Sequence, residues 1–437
     1  MSAGLQQRQH TSLGAMSQVM MDLLYSLTNC MFCFPGSPQL KINNRSFKMQ
    51  HLLGEGGFSY VYLVQDTSTS QLYALKKIRC PFGQESVSLA LKEVEAYTLF
   101  SPHSNIIHSV DHSVMSAKDK SDPGSKTVYI LLPYYRRGNL QDAINANLVN
   151  HSKFPERRLM VLFLGVARAL KAMHQYRVKG APGGPASQKK AKGVRQEAAQ
   201  ADQDALKKNK QRRRRQESVQ DQEEVEQQPL MEGEVTMSQE GVGEGEPRAY
   251  AHRDIKPGNI MIADDGKTPI LMDLGSLAPS PTPITSRSLA LAVQDTAAEH
   301  STMPYRAPEL FDVKTGSVID TKVDIWSLGC TLYACLTGKS PFEARSEETG
   351  GSLSICVLGG DWRFPDEGPK KDPKGKNKIA NGEAEAPKAG DISDGVKNVV
   401  RRCLKVEPAE RPDIDELITM IEELLETLPS DDDRDDL

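Results

Sequence analysis

Apolar and polar positions change rhythm several times along the chain. Residues 1 to about 40 begin polar and turn apolar from Val19 to Phe34. There Met20, Leu23, Leu24 and Leu27 recur at helical spacing with Asp22 interrupting, a segment suited to lying on a surface but not to crossing a bilayer. From Leu40 short β-type runs take over. Phe47 to Leu53, Tyr60 to Gln65 and Leu72 to Ile78 read as three strands, with Gly54-Glu55-Gly56-Gly57 turning between the first two. Ser86 to Phe100 sets Leu89, Val94, Tyr97 and Leu99 among Lys and Glu and reads as a half-buried helix. Ile107 to Ser113 and Val128 to Leu132 are the fourth and fifth strands. Leu159 to His174 places Leu159, Leu162, Phe163, Val166, Ala169, Leu170 and Met173 on one stripe, as a core helix does. The pattern predicts an α+β fold, a five-stranded sheet with one helix joined to a mostly helical part, which on this pattern alone fits many folds.

Two polar stretches interrupt this order. Residues 177 to 248 have almost no aromatics and are rich in Gln, Glu, Lys, Arg, Gly and Ala, which predicts disorder. Their first half is basic, ending in a run from Lys207 to Arg215, and their second is acidic from Glu217 through Glu246. Because the insert separates a core helix from the strand that follows, it must leave and return at nearly one point, which loop-closure entropy tolerates. A second insert spans 367 to 390, and the tail from Asp431 is acidic. The expected boundaries are 1–44 for the N-terminal segment, 45–132 for the sheet lobe, 133–425 for the helical lobe with inserts at 177–248 and 367–390, and 426–437 for the tail.

A net charge of −4 over 437 residues does not suggest a polyanion binder, and the run from Lys207 lacks interleaved aromatics for base stacking, so no specific nucleic acid is expected. The seven cysteines are scattered without zinc-site spacing and suit a reducing compartment. With no signal peptide and no apolar run of roughly 20 residues, the chain is expected on the cytosolic side.

The chemistry concentrates in His252-Arg253-Asp254-Ile255-Lys256-Pro257-Gly258-Asn259, followed by Asp273-Leu274-Gly275. This order and spacing resembles the catalytic loop and metal-binding motif of protein kinases. The resemblance implies ATP and Mg2+ as cofactors. It makes Asp254 the residue that orients a substrate hydroxyl and accepts its proton, Lys256 a neutraliser of phosphoryl charge, and Asn259 and Asp273 the magnesium ligands. Gly54-Glu55-Gly56-Gly57-Phe58-Ser59-Tyr60-Val61 follows the glycine-rich loop, with Ser59 where a third glycine often stands. In Tyr73-Ala74-Leu75-Lys76, Lys76 is assigned to the phosphates over its neighbour Lys77, with Glu93 preferred to Glu95 as its ion-pair partner. The implied nucleotide pocket comprises Leu53, Gly54, Gly56, Val61, Ala74, Lys76, Glu93, Tyr135 and Met261. The resemblance further makes Tyr305-Arg306-Ala307-Pro308-Glu309 the close of the activation segment, Asp324 a brace for the catalytic loop, and Arg411 the partner of Glu309. Lys256 and Thr302 stand where serine/threonine kinases keep these residue types.

Leu131 to Gly138 at the presumed hinge, Met272-Asp273-Leu274-Gly275-Ser276 with Leu in place of the usual Phe, and Tyr305 to Phe311 resemble the Numb-associated kinase group. Within it the chain is similar to the acylated Golgi-associated serine/threonine kinase and its fungal vacuole-associated relatives. The resemblance implies a two-lobed fold, a five-stranded antiparallel N-lobe with helix C and a mostly helical C-lobe. It also implies protein substrates carrying Ser or Thr, autophosphorylation, a monomer, and a peripheral position on Golgi or vacuole membranes beside a cytoplasmic pool. Ser2 stands where myristoylation needs glycine, so Cys30 and Cys33, beside Met31, Phe32 and Phe34, are the candidate palmitoylation sites; ordinary packing is the competing reading. A pseudokinase or scaffold that binds nucleotide without turnover is the alternative function, and it would predict loss of Lys76, Asp254, Asn259 or Asp273, none of which is lost.

Overall fold

The computed structural model describes residues 39–56, 59–81, 83–116, 126–178, 245–367 and 392–429. The N-terminal apolar segment, Cys30 and Cys33, most of 177–248, the insert from 368 and the tail from 430 lie outside the described residues. The chain divides into two units, one formed by residues 1–176 with 248–437 and the other by 177–247.

In the first unit, six strands form one antiparallel sheet: β1 (Gln39–Ile42), β2 (Arg45–Glu55), β3 (Ser59–Asp66), β4 (Leu72–Cys80), β5 (Asp111–Ser116) and β6 (Lys126–Pro133), in the order β1-β2-β3-β4-β6-β5. Five strands were expected, starting at 45. The additional strand arises because Ile42 and Phe47, both fully buried, face a shared cluster with Val64, Tyr73, Leu75 and Leu131, and that burial folds Gln39–Ile42 back on β2. Asn43 makes the turn with φ 49°, a conformation asparagine tolerates, and its side-chain amide donates to Asp111 Oδ1 at 2.8 Å.

The expected fourth strand also moves, from Ile107–Ser113 to Asp111–Ser116. Ile106 and Ile107 are buried, but the Ile107 amide donates to Leu271 O at 2.9 Å, outside the sheet, and the Leu271 amide donates to Asn105 O at the same distance. Helix α1 (Gly83–Leu99) packs on the sheet.

The remaining elements are mostly helical: α2 (Leu140–Asn150), α3 (Glu156–His174), the short strands β7 (Ala249–Ala251), β8 (Ile260–Ile262), β9 (Pro269–Leu271), β10 (Ala278–Ser280) and β11 (Thr282–Pro283), then α4 (Arg287–His300), β12 (Val318–Ile319), α5 (Lys322–Thr337), α6 (Pro341–Thr349), α7 (Leu353–Gly359), α8 (Asp394–Cys403) and α9 (Ile414–Thr427). The predicted stripe of α3 is buried throughout, and α5 is buried from Val323 to Cys335 because it runs through the centre of this lobe. Among the described residues no helix is long and apolar enough to cross a membrane.

Tyr176 O accepts the Arg248 amide at 2.8 Å, so the chain leaves and re-enters the first unit at adjacent points, as loop closure requires. Within the second unit, the Val178 amide donates to Glu246 O at 3.0 Å.

Gly165 of α3 lies against β9: a Cβ there would meet Pro269 Cγ at 2.6 Å and Cδ at 2.9 Å. A proline ring cannot rotate aside. Gly165→Ala is therefore expected to destabilise the protein by about 1–3 kcal/mol, read as a lower urea midpoint at unchanged slope.

Candidate active site

The site is built on a loop between β7 and β8 that is held from beneath by one buried carboxylate. Asp324, on the first turn of α5, has no exposed surface. Its Oδ2 accepts the His252 amide at 2.8 Å and the His174 ring Nε2 at 2.9 Å, and its Oδ1 accepts the Arg253 amide at 2.8 Å. Burial pushes its pKa up, but the His174 bond, the nearby imidazoles and the backbone donors outweigh burial and hold it below the ordinary value. These bonds keep Arg253 at φ 69°, a left-handed conformation that an arginine adopts only when its surroundings impose it.

The next residue, Asp254, is 6% exposed and surrounded by donors. Its Oδ1 accepts the Thr302 amide at 2.9 Å, and its Oδ2 accepts Asn259 Nδ2 at 3.0 Å and pairs with Lys256 Nζ at 2.8 Å. Lys256 also donates to Thr302 Oγ1 at 2.7 Å. The Asp254 amide donates to His252 Nδ1 while Nε2 of that ring faces Met272 O at 3.1 Å, so Nε2 carries the ring proton and links the loop to the residue before Asp273.

From the sheet lobe, Lys76 of β4 reaches Glu93 Oε1 at 2.7 Å and Asp273 Oδ1 at 3.2 Å. Glu93 is 7% exposed and is the partner the structure brings to Lys76, in preference to Glu95. Burial alone would lower the Lys76 pKa, but the Glu93 and Asp273 carboxylates outweigh it and raise the ammonium above its ordinary range. In return Lys76 holds the Asp273 carboxyl below its ordinary value. Asp273 sits in a left-handed turn, φ 60°, with a side chain 38% exposed.

Most residues assigned to nucleotide contact lie on β2, β3, β4 and α1 of the sheet lobe. Gly54 and Val61 face each other across β2 and β3, Val61 is in register with Lys76, and Ala74 is in register with Leu132. The Gly56 amide closes the hairpin on Ser59 O at 2.7 Å, and Leu53 is 39% exposed; Gly57 and Phe58 are outside the described residues. Tyr135 follows β6, where burial and then the Asp264 charge push its hydroxyl pKa up, and Met261 lies in β8 bridged to Asn139.

The donor set fits magnesium. Asn259 commits its NH2 to Asp254 O and Oδ2, leaving its carboxamide oxygen as the donor for a cation, and Asp273 adds one carboxylate. Among the described residues no cluster of three or more His, Cys, Asp or Glu could cage a metal. Magnesium does not need one, since it binds through one or two carboxylates plus phosphate oxygens.

The segment from Asp273 to Glu309 contains a feature the sequence pattern did not predict, helix α4. Ser286 caps it by accepting the Leu289 amide, and Ala290, Val293 and Ala297 bury its inner face. After it, Arg306 donates to Ser301 Oγ at 2.8 Å and Ser301 O at 2.7 Å. Arg411 then clamps Glu309 through two bonds, 2.7 and 2.8 Å, while stacking its guanidinium 5.0 Å from the Trp326 ring. His174 and the Tyr97 hydroxyl, which donates to Glu93 Oε1 at 2.6 Å, were not singled out from the sequence. Periodicity marks Tyr97 as a packed position and His174 only as the end of a helix, and says nothing about their polar atoms.

A sheet lobe and a helical lobe that hold two lysines, two aspartates and an asparagine in linked ion pairs and hydrogen bonds have the make-up of a phosphotransferase of the protein kinase class. Residues 47–179 and 247–421 match the protein kinase domain family, and the chain belongs to it. It is 34% identical over 401 residues to the Saccharomyces cerevisiae "Serine/threonine-protein kinase ENV7", covering 88% of this chain and 93% of that one. It is 33% identical over 381 residues to "Serine/threonine-protein kinase ppk13" of Schizosaccharomyces pombe, with 87% and 91% covered. To "Serine/threonine-protein kinase 16" of Mus musculus it is 29% identical over 388 residues, with 89% and 93% covered. These matches agree with the resemblance drawn from the motifs.

Two outcomes follow from the geometry. Asp324→Ala leaves three buried donors without an acceptor and is expected to cost about 3–5 kcal/mol, measured by urea unfolding. For Asp273 the folded pKa lies below the unfolded one, so the ionised carboxylate contributes fully above the unfolded value and its contribution is lost as pH falls through the folded one. The difference in urea midpoint between wild type and Asp273→Asn is thus expected to be constant from about pH 8 to about pH 5 and to shrink only below about pH 4.

Proposed function

We propose that the chain is a serine/threonine protein kinase that transfers the γ-phosphoryl group of ATP to protein hydroxyls, its own included. The observation that carries this reading is the Asp254 carboxylate, oriented by Asn259, Lys256 and Thr302 in the cleft that also holds the Lys76–Asp273 pair. ATP with magnesium supplies the transferable phosphoryl group and part of its charge neutralisation. Asp254 orients the incoming hydroxyl and takes its proton as the oxygen becomes a nucleophile. Lys256, held by Thr302, presents positive charge to the oxygens of the group in transfer. Lys76, aimed by Glu93, holds the α and β phosphates, while Asn259 and Asp273 hold the cation. Leu53, Gly54, Gly56, Val61, Ala74, Tyr135 and Met261 enclose the nucleotide. The relatives' names, all serine/threonine-protein kinases, support the substrate class.

The same proposal places the kinase, as a monomer, on the cytosolic face of Golgi or vacuole membranes. Two acyl chains on Cys30 and Cys33 beside an apolar segment would hold it stably, whereas one binds marginally.

Purified protein incubated with labelled ATP, magnesium and a generic protein substrate is expected to transfer label, and Asp254→Asn to reduce the rate by roughly a thousandfold. Equal rates for the two proteins would sink the assignment. Replacing both Cys30 and Cys33 by Ser is expected to release the protein from the membrane fraction of broken cells; unchanged sedimentation would refute the acyl anchor.

A further inference from the structure

We propose that Tyr97 is a positioning residue for phosphoryl transfer, its hydroxyl fixing the Glu93 carboxylate so that Lys76 stays aimed at the nucleotide. This role rests on the kinase reading above. Tyr97 lies one helical turn after Glu93 on α1, which puts the two side chains on one face. It is 2% exposed, and its hydroxyl donates at 2.6 Å to Glu93 Oε1, the same oxygen that Lys76 Nζ meets at 2.7 Å. A hydroxyl on a carboxylate at that distance is a strong, charge-assisted bond. Lys76 is a long, flexible side chain that also leans on Asp273, so it cannot fix the carboxylate alone. The phenol ring, with two torsions locked by burial, can.

The hydroxyl also stands at the junction with the turn that carries Asp273. Burial, then the Glu93 and Asp273 charges, push its pKa far up and keep it a donor. The approach is close: a Cβ on Gly275 would lie 3.4 Å from Asp273 Oδ1 and 3.7 Å from Glu93 Oε2. Glu93, which the Tyr97 hydroxyl fixes and which aims Lys76, thus also lies against the turn that carries Asp273.

A core tyrosine whose hydroxyl merely finds a partner would contribute to stability and leave the kinetics alone. Tyr97→Phe keeps the ring and removes only the bond. It is expected to raise KM for ATP roughly tenfold, with a smaller change in kcat. In a Glu93→Gln background the same substitution is expected to change nothing further. In the nucleotide-free protein, amides of residues 92–100 and 274–276 are expected to exchange faster with solvent in Tyr97→Phe than in wild type. Unchanged kinetics, with or without a lower melting temperature, overturns the positioning role. So does an equal loss in the Glu93→Gln background, or unaltered exchange. Failure of the wild-type protein to transfer phosphate at all would instead overturn the kinase reading, and the positioning role with it.

Discussion

The active site depends on a single charge that has nowhere else to go. Asp324 is buried completely in the helical lobe, and a buried carboxylate persists only when donors surround it. Two of its three donors are the consecutive amides of His252 and Arg253, so satisfying the charge and shaping the catalytic loop are the same event. Arg253 accepts a left-handed backbone as a result, and Asp254 emerges where Thr302, Asn259 and Lys256 can reach it. The third donor, His174, ends α3, which ties the loop to the long core helix of the lobe.

The sheet lobe joins through backbone as well as side chains. Leu271 of β9 exchanges hydrogen bonds with Asn105 and Ile107, so the strand leading into Asp273 is anchored on the segment that follows α1. Asp273 is then held from the other side by Lys76, and Lys76 by Glu93. The His252 ring, bonded to Met272 O, closes the circuit back to the Asp324-supported loop. Hydrogen bonds and ion pairs thus run without a break from Asp324 through the His252 loop to Asp273, Lys76 and Glu93, residues far apart in the sequence.

Much of this was legible in the sequence because chemistry constrains residue type and order. The loop from His252 to Asn259, Lys76 on an internal strand and the Arg411 and Glu309 pair could be placed from motifs, and the stripe of α3 from spacing. What was not legible rests on tertiary context. Gln39–Ile42 is too short to declare itself a strand until Ile42 finds Phe47 and the cluster behind it. Helix α4 is Ala-rich with only Ala290, Val293 and Ala297 buried, and its stronger signal, Ser286 three residues ahead of Leu289, is a local cap that periodicity overlooks. Ile107 looked like strand because it is apolar, yet its amide is used outside the sheet. The Tyr97 hydroxyl shows the same limit: burial was readable, its partner was not.

On the proposed function, the Asp254 site transfers phosphate to aliphatic hydroxyls. The most direct test is the chemical identity of the product: incubate the full-length chain with γ-labelled ATP, magnesium and a mixed protein substrate, hydrolyse the labelled protein, and separate the phosphoamino acids. Label in phosphoserine and phosphothreonine is the expected result. Label confined to phosphotyrosine, or none at all, would contradict that assignment.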